Sequence, residues 1–167
     1  MTPEIVEIAK QNSAVQGALL ALNNDHARET SHLSEDSWQS LVDRAFSATC
    51  IDANAFLVAV DQDASYDNAN FNWFRSRYQG FVYVDRIVVS AKLRGAGAAQ
   101  ALYQHLFELV RSAGREWVVC EINIDPPNPG SDSFHHKMGF VEVGRAELTD
   151  RGKVVRYLAK NLDKVIE

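Results

Sequence analysis

An apolar strand that breaks into a glycine turn and re-enters a helix, residues 84–100, constrains this chain more than any other stretch. Ile87, Val88 and Val89 close the strand, and Arg94, Gly95, Ala96, Gly97, Ala98, Ala99 and Gln100 form the turn and the first helical residues. A helix start leaves backbone N–H groups without intrahelical acceptors, and glycines let an anion approach them closely. The turn is not the G-x-G-x-x-G dinucleotide fingerprint, because position 100 is Gln, and no Lys-Ser/Thr pair follows to make a P-loop. Residues alone leave two readings, a phosphate-binding turn or an ordinary tight strand-to-helix connection.

A chain of 167 residues with 46% apolar residues is expected to form one domain, residues 1–167, with a core that needs no disulfide or metal staple. Cys50 and Cys120 lie in apolar stretches and read as reduced core thiols of a cytoplasmic protein. The first residues lack a basic then apolar leader, and no run of 18 apolar residues predicts a membrane span. A net charge of −5 argues against nucleic acid as a partner. That charge is uneven: residues 1–85 carry −7 and residues 86–167 carry +2, so the half with the phosphate-type turn is the less acidic. An acidic first half suits a cationic acceptor, or is simply a soluble surface.

Periodicity predicts a strand at 5–9, a helix at 15–31, and a second helix from Ser34 to about 47, with Trp38, Leu41, Val42, Ala45 and Phe46 on one face. Strands follow at 49–53 and 56–60 across a turn at Asn54, then a polar loop at 61–76 and a long strand at 79–89. A helix at 98–112 closes at Gly114, and a strand at 117–124 is broken by the Pro-rich stretch 126–130. A short helix at 131–138 and strands at 140–148 and 153–159 complete the chain. The order β-α-α-β-β-β-α-β-α-β-β predicts an α/β (α+β) fold: a mixed sheet of about six or seven strands flanked by about four helices.

A second constellation lies downstream: Asn128, six residues, then His135-His136-Lys137-Met138-Gly139-Phe140. It resembles motif B of the GNAT acyltransferases, Asn, six residues, then Tyr-x-x-Leu-Gly-Phe. In the same frame Arg94-Gly95-Ala96-Gly97-Ala98-Ala99 is similar to GNAT motif A, Arg/Gln-x-x-Gly-x-Gly/Ala. The resemblance covers residues 80–145. It implies a GNAT fold and acetyl-CoA as cofactor. The pyrophosphate would rest on Gly95, Ala96, Gly97, Ala98, Ala99 and Gln100 beside Arg94. The pantetheine arm would pair with Ile87, Val88 and Val89, and Asn128 would hydrogen-bond the cofactor. The implied activity is acetyl transfer to a primary amine, on a small molecule or a protein amino group, by direct attack. A homodimer is left open.

Such a transfer needs a base for the amine, a donor to the oxyanion and a proton for the departing sulfur. Glu121 is the candidate base: a lone carboxylate in an apolar strand should be desolvated and its pKa raised. In several family members a strand Glu before the cofactor Asn has this role. The alternatives are a structural pair between Glu121 and Arg86, and Asp85 as base in its place. The family's proton donor is the motif B Tyr, and this chain has His135 there, with Tyr103 and Tyr157 as substitutes that the sequence cannot position. The resemblance also implies an oxyanion donor near Val89, at a strand bulge. His26, His32, His105, His135 and His136 show no metal spacing, and neither Cys has the setting of a nucleophile. Residues 23–29 and 66–78, with Trp73 and Phe74, are where the family shapes its acceptor pocket, and those aromatics read equally as core anchors. A non-catalytic acyl-CoA-binding module, or an unrelated phosphate-binding protein, are the competing functions.

Overall fold

The computed structural model describes residues 3–27, 30–125, 127, 129–148 and 152–163. Asn128, predicted to touch the cofactor, lies outside these residues. The strands are β1 (Val6–Glu7), β2 (Ser47–Ile51), β3 (Ala55–Asp61), β4 (Phe81–Val89), β5 (Trp117–Asp125), β6 (Val141–Leu148) and β7 (Lys153–Asn161). The helices are α1 (Ser13–Asp25), α2 (Glu35–Arg44), α3 (Ala69–Arg75), α4 (Ala98–Ser112) and α5 (Pro129–Lys137). One seven-stranded sheet runs β1-β2-β3-β4-β5-β7-β6. Every neighbouring pair is antiparallel except β4 and β5, which α4 connects as a parallel crossover.

Side chains alternate across the sheet because successive residues of a strand face opposite ways. In β3, Phe56, Val58 and Val60 join a core with Leu19 of α1, Trp38 of α2 and Phe71 and Phe74 of α3. Ala55, Leu57 and Ala59 pack instead on Leu102, Leu106 and Val110 of α4. Cys50 belongs to the first core and Cys120 to the second, so the sheet stands between the two free thiols. Among the described residues, no helix is long and apolar enough to cross a membrane.

Four local expectations are corrected. The first strand is only Val6–Glu7 and turns at once into a 3-10 helix, Ile8–Lys10. The first helix stops at Asp25 rather than near 31, where the His26 Nδ1–H donates to the Leu22 carbonyl at 2.9 Å. The stretch read as loop contains α3. The Asn68 side chain caps it by accepting from the N–H groups of Asn70 and Phe71, and Phe71 and Phe74, three apart, are buried. Among the described residues five helices therefore flank the sheet, in keeping with the expected mixed sheet and its about four helices. Trp73 and Phe74 resolve as packing residues. The Trp73 indole stacks on Tyr157 at 4.2 Å, and a Cβ at Gly144 would collide with it.

The fourth correction concerns the bulge. Val89 pairs regularly with Ala55, and the irregularity in β4 falls at Asp85, because Val58 pairs with Arg86 while Ala59 pairs with Val84. One extra residue resets the alternation. Tyr83 and Val88 face the α1–α3 core, while Val84 and Ile87 face α4. Asp85 and Arg86, adjacent in sequence, consequently share the α1 side.

Candidate active site

β4 and β5 hydrogen-bond over only three positions, Phe81–Trp117, Val82–Val118 and Tyr83–Val119. Beyond Tyr83 the two strands separate, and the gap opens a cleft of about 800 Å³. Ile87, Val88 and Val89 line one wall of it, and Ser131, Phe134 and His135 of α5 line the other. Arg94, Gly95, Gly97, Ala98, Ala99 and Gln100 close one end. The structure thus brings together every described residue predicted to hold the cofactor except Ala96, which is in the same turn but not in the lining.

The turn works through its glycines. Gly95 has φ 79° and Gly97, the N-cap of α4, has φ 81°. Among the described residues, nothing accepts from the backbone N–H groups of Gly95, Gly97, Ala98, Ala99 and Gln100. They are an anion-binding set ready at a helix start. A Cβ at Gly97 would meet nothing within 4 Å, so a side chain there is penalised by the backbone alone. Gly97→Ala is expected to cost about 1–2 kcal/mol in urea unfolding, from the left-handed conformation. Arg94 leans on α1, its Nη2 3.4 Å from His26 Nε2, which accepts because Nδ1 holds the ring's proton against Leu22.

A smaller cavity of about 100 Å³ adjoins the cleft, and Thr30, Ile87, Ser131 and His135 are walls of both. Glu121 of β5 is half-buried at its edge. Burial raises its pKa from 4.5 to about 7, the nearby Asp85 charge adds to this, and interactions with Tyr83 and Asn70 oppose it. The Tyr83 hydroxyl donates to Oε2 at 2.7 Å. Asn70, which sequence reasoning left in a loop, is fixed because Tyr157 donates to its Oδ1 at 2.9 Å. Arg86 pairs not with Glu121 but with Asp85, at 2.8 Å, and Asp85 also accepts from Tyr66. Asp85 is thereby held by Arg86 and Tyr66, whereas Glu121, the other carboxylate of the cavity, accepts from the neutral Tyr83.

His135 is buried on the other side of the gap. Its Nδ1 lies 2.7 Å from the Ser131 carbonyl, which can only accept, so Nδ1 carries a proton. Burial lowers its pKa, so the ring is neutral at pH 7 and Nε2 is bare. Nε2 accepts from the Tyr103 hydroxyl at 2.6 Å. His135 stands where the family has its proton donor, but its ring here is a neutral acceptor, and the mobile proton of the pair sits on Tyr103 Oη.

A sheet splayed at its centre, an anion-binding helix start at one end of the gap and a half-buried carboxylate beside it define a protein built to seat a long anionic ligand. The Acetyltransferase (GNAT) family profile matches residues 19–140, and the chain belongs to that family. No curated protein matches it by sequence. Its fold resembles an aminoglycoside 6'-N-acetyltransferase complexed with coenzyme A: 14% identity, 98% of this chain and 99% of that chain covered, TM-score 0.70. The ribosomal-protein-S18-alanine N-acetyltransferase from Escherichia coli gives 15%, 98%, 96% and 0.67. An N-acetyltransferase from Staphylococcus aureus Mu50 gives 18%, 97%, 99% and 0.71.

Proposed function

We propose that this protein is an N-acetyltransferase that holds acetyl-CoA in the cleft and receives a primary amine at Glu121, with direct attack of the amine on the acetyl group. The observation that carries the reading is the adjacency of the two spaces: free backbone N–H groups at one end of the cleft, and at its other side a cavity holding a carboxyl with a pKa of about 7. The residues fit the cofactor. The turn offers N–H donors and Arg94 to an anion, and the apolar Ile87, Val88 and Val89 offer a strand to a linear arm. Acetyl-CoA would supply an activated thioester and a thiol leaving group.

Glu121 takes the proton of the entering ammonium, and a pKa near the working pH balances the ionised fraction against basicity. Tyr103 holds a proton at Oη for the leaving sulfur, and His135 orients that hydroxyl. The small-molecule acceptor named for one relative and the protein alanine named for another are both primary amines, the chemistry that Glu121 would serve. The buried free thiols Cys50 and Cys120 fit a reducing compartment such as the cytoplasm.

Calorimetric titration with acetyl-CoA, followed by thiol release across a panel of small amines and peptides, tests the proposal. Saturable binding with release dependent on one class of amine is the expected result. Tight binding with silence across the panel would make the chain a binding module, and no binding would end the cofactor reading.

A further inference from the structure

The β4 bulge builds a crosslink that the proposed chemistry does not use. Arg86 is committed entirely to the protein. Its Nε donates to Asp85 Oδ2 at 2.8 Å, Nη1 to Asn23 Oδ1 at 3.0 Å and to the Ser31 carbonyl at 3.2 Å, and Nη2 to Ser31 Oγ at 3.2 Å. The pair is buried, with 8% of the Arg86 and 2% of the Asp85 side chain exposed. Asn23 reinforces it by donating to the same Ser31 carbonyl at 2.9 Å. Asn24 then grips Leu33 on both main-chain groups, accepting from its N–H at 2.9 Å and donating to its carbonyl at 3.1 Å. Thr30, beside Ser31, is a wall of both the Glu121 cavity and the cofactor cleft.

We propose that Arg86 is the positioning residue of the acceptor site, fastening residues 30–33, ahead of α2, to the bulge of β4 so that they form a fixed wall of the Glu121 cavity. This rests on the reading of the Glu121 cavity as the place of the amine. A guanidinium suits the task because its planar fork reaches a carboxylate, an amide oxygen and a loop carbonyl at once, which an ammonium cannot do. The same residue sets the electrostatics of the cavity. Asp85 pushes the Glu121 pKa upwards, and Arg86 is the countercharge on Asp85. Among the described residues, the other titratable groups around Glu121 are Tyr83 on β4, Tyr66 beside Asp85, Tyr103 on α4, Cys120 on β5, His135 on α5, and Lys153 and Tyr157 on β7. Arg86 is, among the described residues, the cation paired with the one other carboxylate lining the cavity.

Three variants of the full-length protein separate the two roles: Arg86→Lys, Arg86→Gln, and Arg86→Gln combined with Asp85→Asn. Amide exchange at Thr30, Ser31 and Leu33, and the ¹³C titration of the Glu121 carboxyl, need neither acceptor nor cofactor. Exchange is expected to quicken ~10-fold or more in all three, because each loses the fork. The Glu121 midpoint stays near its wild-type position in Arg86→Lys, rises in Arg86→Gln, and returns in the double variant. KM for the amine found in the screen rises in Arg86→Lys while acetyl-CoA affinity holds. Unchanged exchange in Arg86→Lys would overturn the wall, and should Arg86→Gln fail to fold, that variant decides alone. A midpoint that ignores Arg86→Gln would overturn the electrostatic role. A wild-type protein that acetylates nothing counts against the acetyl-transfer reading, whereas the exchange and titration arms judge the crosslink by itself.

Discussion

Glu121→Gln lowers the rate of acetyl transfer by about 10²- to 10⁴-fold at neutral pH, the usual contribution of a positioned general base. The pH dependence follows from the raised pKa. In the wild type, activity falls as pH drops through about 7, because the carboxyl becomes protonated and can no longer accept. The variant has no such group and reacts only with amine that is already neutral. An alkyl ammonium has a pKa of roughly 10.4, so the variant's rate climbs about tenfold per pH unit below that value. The ratio of wild type to variant is therefore flat below pH 7 and shrinks about tenfold per unit above it. Initial rates between pH 5.5 and 9.5 read this directly, and a ratio independent of pH would remove Glu121 from proton transfer. Acetyl-CoA affinity should stay unchanged, since Glu121 is not among the residues lining the cleft.

The second large effect concerns the proton for the leaving sulfur. Tyr103→Phe is expected to lower kcat by about 10²-fold with little change in acetyl-CoA affinity. His135→Phe should give a similar loss, because the Tyr103 hydroxyl loses its acceptor. The double variant should be little worse than either single one, since groups that act as a unit are not additive. Full multiplication of the two defects would mean that His135 and Tyr103 act separately. ¹⁵N shifts of the His135 ring offer a second check: protonated Nδ1 and bare Nε2 in the wild type, with the Nε2 signal moving in Tyr103→Phe. A ring that titrates near 6.5 would contradict the burial that holds it neutral.

Much of the fold was legible because its punctuation is local. α4 was read to the residue: Gly97 supplies its left-handed N-cap, and Gly114, at φ 76°, ends it. The glycine turn before it was visible for the same reason. Glu121 was visible as one carboxylate in an apolar strand. α3 was not, since seven residues between Asn68 and Ser76 are too few to show a helical period amid Asn and Asp. The bulge was misplaced because its position is set by register with β3, a contact between residues about 25 apart. The cue was the Asp85-Arg86 pair itself, since two adjacent charges in an apolar strand need one buried face to share. The company kept by Glu121 and His135 was hidden for a similar reason: Tyr83, Asn70 and Tyr103 arrive from three other elements.

The three-residue join between β4 and β5 carries a consequence for the whole molecule. Mechanically, the sheet is a four-stranded leaf and a three-stranded leaf riveted at one end, with α4 as the strap between them. Past the rivet each leaf has a raw margin of main chain, set in a cleft that α5 also lines. A ligand laid along that margin would act as the missing rung and stitch the leaves together. Cofactor loading and resistance to unfolding should then rise together, so that the empty protein gives way first along this seam.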